Sequence, residues 1–166
     1  GEYYKIANYD KWSIFPQLNL TYTPDYSHII QLNISSDKVY PSYWEMQNNV
    51  SQLNNYAEIQ GNPSLRPYDD YSGQLSYIFK NKYILTFYVN YSDDYAVQLP
   101  YQAIDRLALI FKTQNMDYRS VFGANIYLPF NIGSFMKSSI TINTFNDRQK
   151  AGTFHDISFD NSKWEY

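Results

Sequence analysis

The sequence predicts an all-β protein, an antiparallel up-and-down meander of about seven or eight long strands that forms part of a transmembrane β-barrel. Apolar and polar residues alternate with a period of two in most segments, which is the pattern of a half-buried strand. A barrel strand needs about 9 to 11 residues, and these segments are at least that long. Globular strands average about 5 or 6 residues. Aromatic residues, which favour strands, make up 19% of the 166 residues.

The first two strands are expected over residues 11–23 and 27–39. Leu18 and Leu20 share a face in the first strand, and Ile30 and Leu32 share a face in the second. The residues between the two strands, Pro-Asp-Tyr-Ser, are typical of a tight turn. Residues 40–67 then form a long irregular stretch rich in Asn, Gln, Ser and Pro, and a stretch of this length indicates a functional loop.

The third and fourth strands are expected over residues 69–80 and 83–99, joined by a short hairpin turn. Leu75 belongs to the apolar face of the third strand, and Leu85 and Phe87 belong to that of the fourth. Short turns therefore alternate with longer loops along the chain. Outer-membrane barrels have this arrangement, with brief turns at one end and larger loops at the other.

The second half of the chain leaves one choice open. Residues 106–130 form either one very long strand or two strands with a break near Asn115. Gly123 within this region indicates a close backbone approach or a bulge. A further strand is expected at residues 135–146, and a last, weaker one at 153–164.

Membrane lipid is the partner expected for the apolar face, and the polar face would line the lumen of the barrel. Irregular backbone cannot face hydrocarbon, so only a closed barrel satisfies every backbone group in a membrane. The residues expected to face lipid are Leu18, Leu20, Ile30, Leu32, Leu75, Leu85 and Phe87.

Composition and charge exclude several function classes. The net charge of −3 and the pI of about 5.2 provide no basic stripe for phosphates, so nucleic acid is not expected as a partner. The chain has no cysteine, which excludes disulfides and thiolate metal sites. No apolar run is long enough for a transmembrane helix.

No pattern of catalytic or metal-binding residues is present. His28 and His155 are the two histidines and are too far apart in sequence for a zinc pair. The sequence also lacks a nucleophile elbow and a Gly-rich phosphate loop, so we expect no enzyme activity, cofactor or metal. The carboxylates of Asp93, Asp94 and Asp105 could bind a divalent ion, but a solvated rim of charges is favoured.

One loop segment carries a recognisable motif, Gly61-Asn62-Pro63-Ser64-Leu65-Arg66-Pro67. It resembles a Gly-Asn-Pro-x-Leu-(Lys/Arg)-Pro stretch of TonB-dependent outer-membrane receptors, which ends an extracellular loop and starts a strand. Residues 41–46 upstream resemble that family's Arg-Pro-x-Tyr-x-x-Leu segment, although Tyr40 stands where a basic residue is common and Met46 where Leu is common. The likeness is greatest to the outer-membrane β-barrel family abundant in Bacteroidetes.

This resemblance implies more protein than the 166 residues hold. Such receptors have a twenty-two-stranded barrel in the outer membrane of Gram-negative bacteria, filled by a plug domain that contacts a TonB-type energy coupler. The chain is therefore expected to be a single barrel segment, a fragment without plug or closing strands. The implied function is uptake of a nutrient such as a metal chelate, a glycan or a peptide.

Four aromatic residues of the long loop are candidates for ligand binding: Tyr40, Tyr43, Trp44 and Tyr56. Amphipathic rings on an outer loop could stack on a ligand or hold a lipoprotein lid. The favoured alternative is that they pack the loop or form an aromatic girdle at the membrane interface.

The motif residues Gly61, Asn62, Pro63, Leu65, Arg66 and Pro67 are expected to set the geometry of the loop. Gly and Asn tolerate positive φ, and Pro fixes φ. Arg66 is expected to pair with Asp69 or Asp70 at the start of the next strand.

Two other functions remain open from sequence. A soluble β-sandwich that binds carbohydrate through aromatic platforms would explain the tyrosines, and an adhesin or assembly barrel would explain the strands. A partial barrel also leaves two open sheet edges, so we expect the isolated chain to self-associate.

Overall fold

The computed structural model describes residues 13–154 and 157–166. Seven strands form one antiparallel sheet in chain order, and four shorter strands form a second sheet. Within the described residues, no helix has the length and apolarity to cross a membrane. The elements are β1 (Leu18–Asp25), β2 (His28–Val39), α1 (Tyr43–Met46), β3 (Val50–Asn54), β4 (Ala57–Gln60), β5 (Tyr68–Phe79), β6 (Tyr83–Asp93), β7 (Ala96–Gln102), β8 (Leu109–Asn115), β9 (Tyr118–Ile132), β10 (Met136–Phe154) and β11 (Ile157–Glu165).

The seven-stranded sheet, hereafter the main sheet, has the order β1-β2-β5-β6-β9-β10-β11. Every neighbouring pair is antiparallel, which confirms the predicted meander. The sheet is open: among the described residues, β1 and β11 are not paired with each other. The observed architecture is that of part of a barrel.

Strand register places the predicted apolar residues on one face of the main sheet. Leu32 lies opposite Leu75, and Leu75 lies opposite Phe87. Successive side chains along a strand point to opposite faces, so Gln31, Ser76 and similar residues occupy the other face. All seven residues expected to face lipid share the apolar face, and the large ones at its centre remain substantially exposed, as in Phe87 at 51%.

Aromatic residues form a row at each end of the apolar face. At one end the ring of Phe79 stacks on Tyr83, with centroids 6.2 Å apart, and lies tilted against His28 at 5.0 Å. At the other end Tyr91 stacks on Tyr118 at 5.8 Å. Tyr83 and Tyr91 lie on one strand, roughly 27 Å apart along its axis. Aliphatic side chains occupy the band between the rows.

The two ends of the main sheet differ in their connections. The β1–β2, β5–β6 and β9–β10 turns are short and lie at one end, which we call the turn end. The opposite end, the loop end, carries residues 40–67 and 94–117. Both long connections lie at the loop end, as the sequence predicted, although the brief β10–β11 connection also lies there.

The stretch 40–67 was predicted to be irregular, and this was wrong. It contains α1 and the β3–β4 hairpin, while residues 94–117 contain the β7–β8 hairpin. The two hairpins form one sheet of order β3-β4-β8-β7, which we call the loop sheet, and its central pair β4–β8 is parallel. This polar segment can form strands because the main-chain groups of β4 hydrogen-bond to β8 of the other loop.

The predicted strand at residues 83–99 was also wrong. The chain leaves the main sheet after β6 at Asp94, which has φ of 59°, and re-enters extended structure as β7 of the loop sheet. Period-two alternation continues across the junction, so the pattern alone does not reveal the change of sheet. The choice over residues 106–130 resolves to two strands, β8 and β9, with the break after Asn115.

The remaining strands agree with prediction apart from their ends. β2 and β5 match within one residue, β1 begins later than expected, and β10 extends to Phe154. Residues 11 and 12 of the first predicted strand and residues 155 and 156 of the last lie outside the described residues. Gly123 makes a close approach without a bulge, because the β9 register is unbroken there.

The loop sheet rests on the part of β10 and β11 that projects beyond the membrane-facing rows. Met116 and Ala151 are both 2% exposed and form the centre of this contact. Tyr95, Val97, Leu99 and Phe159 pack around them. This contact fixes the loop sheet over the loop end of the main sheet.

Candidate functional site

The Gly61–Pro67 motif fastens one loop to the other. The Asn62 side-chain amide donates to the Thr113 carbonyl oxygen at 2.8 Å, and the Asn62 Oδ1 accepts from the Ser64 amide at 3.1 Å. Asn115 Oδ1 accepts from the Arg66 amide, and its Nδ2 donates to the Arg66 carbonyl oxygen, both at 3.0 Å. The motif therefore holds residues of the second loop that are about fifty positions away in sequence.

Gly61 and Leu65 have steric roles within the motif. A Cβ on Gly61 would lie 1.7 Å from the Gln47 carbonyl oxygen, so no other residue fits this backbone. The Gly61 amide donates to the Asn49 carbonyl oxygen at 3.0 Å. Leu65 is buried beneath the loops. Neither Gly61 nor Asn62 has a positive φ, so Gly61 is required here by the close approach of the Gln47 carbonyl oxygen and not by backbone conformation.

Arg66 does not pair with Asp69 or Asp70, contrary to the prediction. Its Nη2 lies 2.6 Å from Asp94 Oδ1, in an ion pair that joins the two loops. Asp69 pairs instead with Lys38, which lies opposite it on β2, and Asp70 accepts from the Ser92 hydroxyl at 2.6 Å. Both aspartates contact residues that lie opposite them on neighbouring strands. Proximity in sequence did not reveal these partners.

α1 positions two of the four candidate aromatics. Ser42 caps the helix: its Oγ accepts from the Glu45 amide at 3.3 Å, and the Glu45 carboxylate accepts from the Ser42 amide at 2.9 Å. Tyr43 and Trp44 lie on the helix with ring centroids 5.8 Å apart and are 68% and 71% exposed. The Ser-x-x-Glu spacing was a readable signal for this helix start.

Trp44 forms one wall of a cavity of about 260 Å³ against the loop sheet. All four strands of the loop sheet contribute to the floor of the cavity, through Ser51 of β3, Ile59 of β4, Gln98 of β7 and Thr113 of β8. Amide and hydroxyl groups beside an exposed indole can donate and accept hydrogen bonds to a polar ligand while the ring stacks on it.

The other two candidates lie elsewhere. Tyr56 is at the tip of the β3–β4 hairpin, where it lines a separate cavity with Leu107 and Leu109. Tyr40 is exposed just after β2. The structure therefore brings Tyr43 and Trp44 together and leaves Tyr40 and Tyr56 apart from them. None of the four belongs to the aromatic rows of the main sheet.

A buried carboxylate in the loop sheet was missed by the sequence analysis. Glu58 is 5% exposed, and both of its oxygens accept from Arg106 Nη2 at 2.7 Å. Gln60 Nε2 donates to Glu58 Oε1, also at 2.7 Å. The hydrogen bond to Glu58 raises the pKa of Arg106, and burial followed by the charge of Glu58 raises the pKa of Tyr101.

A second ion pair lies on the polar face of the main sheet near the loop end. Arg119 Nη2 and Nε contact the two carboxylate oxygens of Asp147 at 2.7 and 3.2 Å. The guanidinium also lies 5.4 Å from the Tyr95 ring centroid. No sequence signal identified either ion pair, because their partners are 28 and 48 residues apart.

In residues 13–154 and 157–166, no three His, Asp or Glu side chains are grouped to hold a metal ion. Asp94 is paired with Arg66, and Asp105 is paired with Arg106 at 3.3 Å. Two residues of the candidate ion site, Asp94 and Asp105, therefore form ion pairs with arginines. His155 lies outside the described residues.

The family model for the outer membrane protein beta-barrel family matches residues 3–166. The chain belongs to the outer membrane protein beta-barrel family. This membership places it in the outer membrane of a Gram-negative bacterium and explains the exposed apolar face, which lies against lipid in the membrane. The two aromatic rows then correspond to the girdles at the membrane interfaces. No curated protein matches the sequence.

Among solved structures, the ferric enterobactin receptor PfeA, crystallised in complex with BCV-L6, contains a region of similar fold. The TM-score is 0.55 with 14% sequence identity, and the similarity covers 89% of this chain. The matched region is 27% of the receptor chain, so this chain spans about a quarter of the length of that protein. The likeness shows a common fold.

Proposed function

We propose that this chain is one segment of a TonB-dependent receptor that imports a scarce nutrient through the outer membrane. The observation that carries the proposal is the fastening of two loops into one sheet by the Gly61–Pro67 motif and Asn115. A receptor needs an ordered outer surface to select a ligand, and this loop sheet provides one. By analogy with the family, the turn end is periplasmic and the loop end is extracellular.

The remaining barrel strands, the plug and its TonB-type energy coupler would come from the rest of the receptor. The fold likeness to a segment of PfeA supports this division, since that receptor is several times longer. The motif likeness supports an origin in Bacteroidetes. We propose no catalytic step and no resident cofactor for this chain.

We propose that the ligand contacts the loop sheet beside Trp44 and Tyr43. The exposed indole and phenol offer stacking surfaces, and Gln98 and Thr113 offer hydrogen-bonding groups. A metal chelate, a glycan or a peptide would each fit this chemistry. Tyr40 and Tyr56, which lie apart from the cavity, are proposed as contacts for a larger ligand or a lipoprotein lid.

The soluble β-sandwich module is disfavoured by packing. Such a module would bury the Leu and Ile side chains of the main sheet between two sheets. In the described residues the loop sheet contacts β10 and β11 at the loop end, and Leu75 and Phe87 remain exposed.

Growth of the source bacterium tests the proposal. The gene is deleted, and growth is measured with single limiting sources of chelated iron, glycan or peptide, beside a strain whose TonB homologue is inactive. We expect both strains to lose growth on the same source. Full-length Trp44→Ala should raise the ligand concentration needed for growth, whereas Tyr26→Ala, an exposed tyrosine at the turn end, should not.

Two results would overturn the proposal. If the deletion strain imports every nutrient normally but loses surface adhesion or outer-membrane assembly, the chain belongs to an adhesin or assembly barrel. If uptake persists without the TonB homologue, the barrel acts as a passive pore.

A further inference from the structure

The turn end of the apolar face carries a cavity that the receptor function does not use. Its volume is about 370 Å³, and it opens on the face that lies against lipid. Residues of four neighbouring strands, β2, β5, β6 and β9, line it. Its apolar and aromatic lining includes Tyr77, Phe79, Tyr83, Leu85, Ile126 and Leu128.

Two lysines of the β5–β6 turn lie over aromatic rings that line this cavity. Lys80 Nζ lies 5.2 Å from the Phe79 ring centroid, and Lys82 Nζ lies 5.3 Å from the Tyr83 ring centroid. Phe79 and Tyr83 stack on each other at 6.2 Å, so one aromatic pair carries both ammonium groups. In the part of the chain that the structure describes, neither ammonium has a carboxylate partner.

The turn itself is built to hold the two lysines in place. Lys80 and Asn81 both have positive φ, at 52° and 51°, and the Lys82 amide donates to the Phe79 carbonyl oxygen at 3.0 Å. These are the features of a tight hairpin turn whose twist matches the strands. The lysines therefore leave the sheet at fixed positions beside the cavity.

Asp25, in the neighbouring β1–β2 turn, accepts hydrogen bonds within that turn. Asp25 Oδ1 accepts from the Ser27 and His28 amides at 2.7 and 3.0 Å. The His28 ring in turn contacts the Tyr77 hydroxyl through Nδ1 at 2.6 Å, which closes the cavity on the β2 side. The local charge at the cavity rim is positive.

We propose that this cavity binds an anionic phospholipid of the periplasmic leaflet. One acyl chain would lie along Leu85, Ile126 and Leu128, and the headgroup phosphate would contact Lys80 and Lys82 at the level of the aromatic row. Apolar side chains favour the acyl chain, and lysines near a membrane surface attract anionic headgroups. Lipid is the committed occupant because the cavity opens on the membrane face and its charged rim lies at the interface.

The test uses the full-length receptor purified in detergent and native mass spectrometry with added phosphatidylglycerol or phosphatidylcholine. We expect phosphatidylglycerol to be retained more strongly, with Lys80→Gln and Lys82→Gln each reducing its retention about fivefold. Lys137→Gln is the matched control, because Lys137 lies at the same end of the sheet but on the polar face, opposite Asn131. It should leave retention unchanged.

A second variant separates the acyl-chain contribution from charge. Leu128→Ser should reduce retention of both lipids by a similar factor, because it alters the apolar wall alone. Equal retention of the two lipids by the unaltered receptor, or equal losses in Lys80→Gln and Lys137→Gln, would overturn the proposal. Reduced phosphatidylglycerol retention that inorganic phosphate fully competes away would also overturn it, since it would show an anion site without an acyl chain.

Discussion

The Asn115 side chain hydrogen-bonds to both main-chain polar groups of Arg66, accepting from its amide and donating to its carbonyl oxygen at 3.0 Å each. The same Nδ2 donates to the Asp94 carbonyl oxygen at 2.7 Å. The Asn115 side chain thus bonds to main-chain groups as a neighbouring strand would. It joins Arg66, near the end of the first loop, to Asp94, at the start of the second. These three hydrogen bonds join the two loops close to where they leave the main sheet.

Replacing Asn115 by Ala should loosen the loop sheet without unfolding the main sheet. Three hydrogen bonds are lost, two of them exposed and one partly buried, and a typical hydrogen bond contributes about 0.5–1.5 kcal/mol to stability. Hydrogen exchange should accelerate in residues 94–117 and 57–67 and remain slow in β6 and β9. Asn90→Ala, on the exposed polar face, is the control, and equal protection in both variants would contradict this role for Asn115.

Gly123 should tolerate no side chain. An added Cβ would lie 2.6 Å from the Thr144 carbonyl oxygen and from the Tyr88 ring. The ring can move but the backbone oxygen cannot, so Gly123→Ala should lower the free energy of unfolding by about 1–3 kcal/mol through overpacking. Denaturant unfolding in vesicles measures this loss.

Gly73→Ala provides the comparison for Gly123, because its Cβ would meet only the Val89 Cγ1 at 3.2 Å. Its effect should be much smaller. A Gly123 variant as stable as the Gly73 variant would show that the β9–β10 spacing can widen.

Arginine at the centre of the lipid face should destabilise the barrel, whereas arginine on the polar face should not. Leu75→Arg places a charge in the hydrocarbon at a cost of about 2–4 kcal/mol near the midplane. Gln74→Arg, one residue earlier, points to the opposite face. The measurement is the fraction of full-length protein folded in the outer membrane, and equal fractions for both variants would contradict the assignment of the faces.

Arg106→Ala should disturb the loop sheet more than Glu58→Gln does. Removing the arginine leaves the buried Glu58 carboxylate without its cation, whereas the amide of Gln remains neutral and can still hydrogen-bond. Limited proteolysis within residues 103–108 should therefore be faster in Arg106→Ala. The reverse order of rates would mean that the ion pair itself, rather than the burial of the carboxylate, holds the segment.

The isolated chain of 166 residues should associate in detergent. β1 and β11 each offer an edge of the main sheet, and unpaired edges recruit other strands. Light scattering should show oligomers, with slow hydrogen exchange along both edge strands. A monomer that keeps rapidly exchanging edges would contradict the prediction.

Sequence patterns predicted the strands of the main sheet well because each reports one local property. Alternation in residues 69–80 follows from one face meeting lipid and the other a polar lumen, so it identifies β5 within one residue at each end. The same pattern failed at residues 83–99, since the loop sheet also has strands with two different faces. The pattern specifies that a segment is extended and does not specify which neighbour it pairs with.

The site shows the same division. The motif at Gly61–Pro67, Trp44 as a candidate residue and a close approach or bulge at Gly123 could be predicted from sequence. The partner of Arg66 could not, because Asp94 is 28 residues away in sequence and lies beside Arg66 only when the two loops pack together. Glu58 and Arg106 were missed for the same reason.

The sequence by itself determined the all-β class, since period-two alternation over long segments is the pattern of strands. It also determined which face of each strand would be apolar. Only the tertiary structure decided that two loops share one sheet, that Arg66 pairs with Asp94, and that Lys80 and Lys82 meet an apolar cavity. Local chemistry sets backbone preference and facing along the chain, whereas partners distant in sequence are chosen when strand register brings them within contact distance.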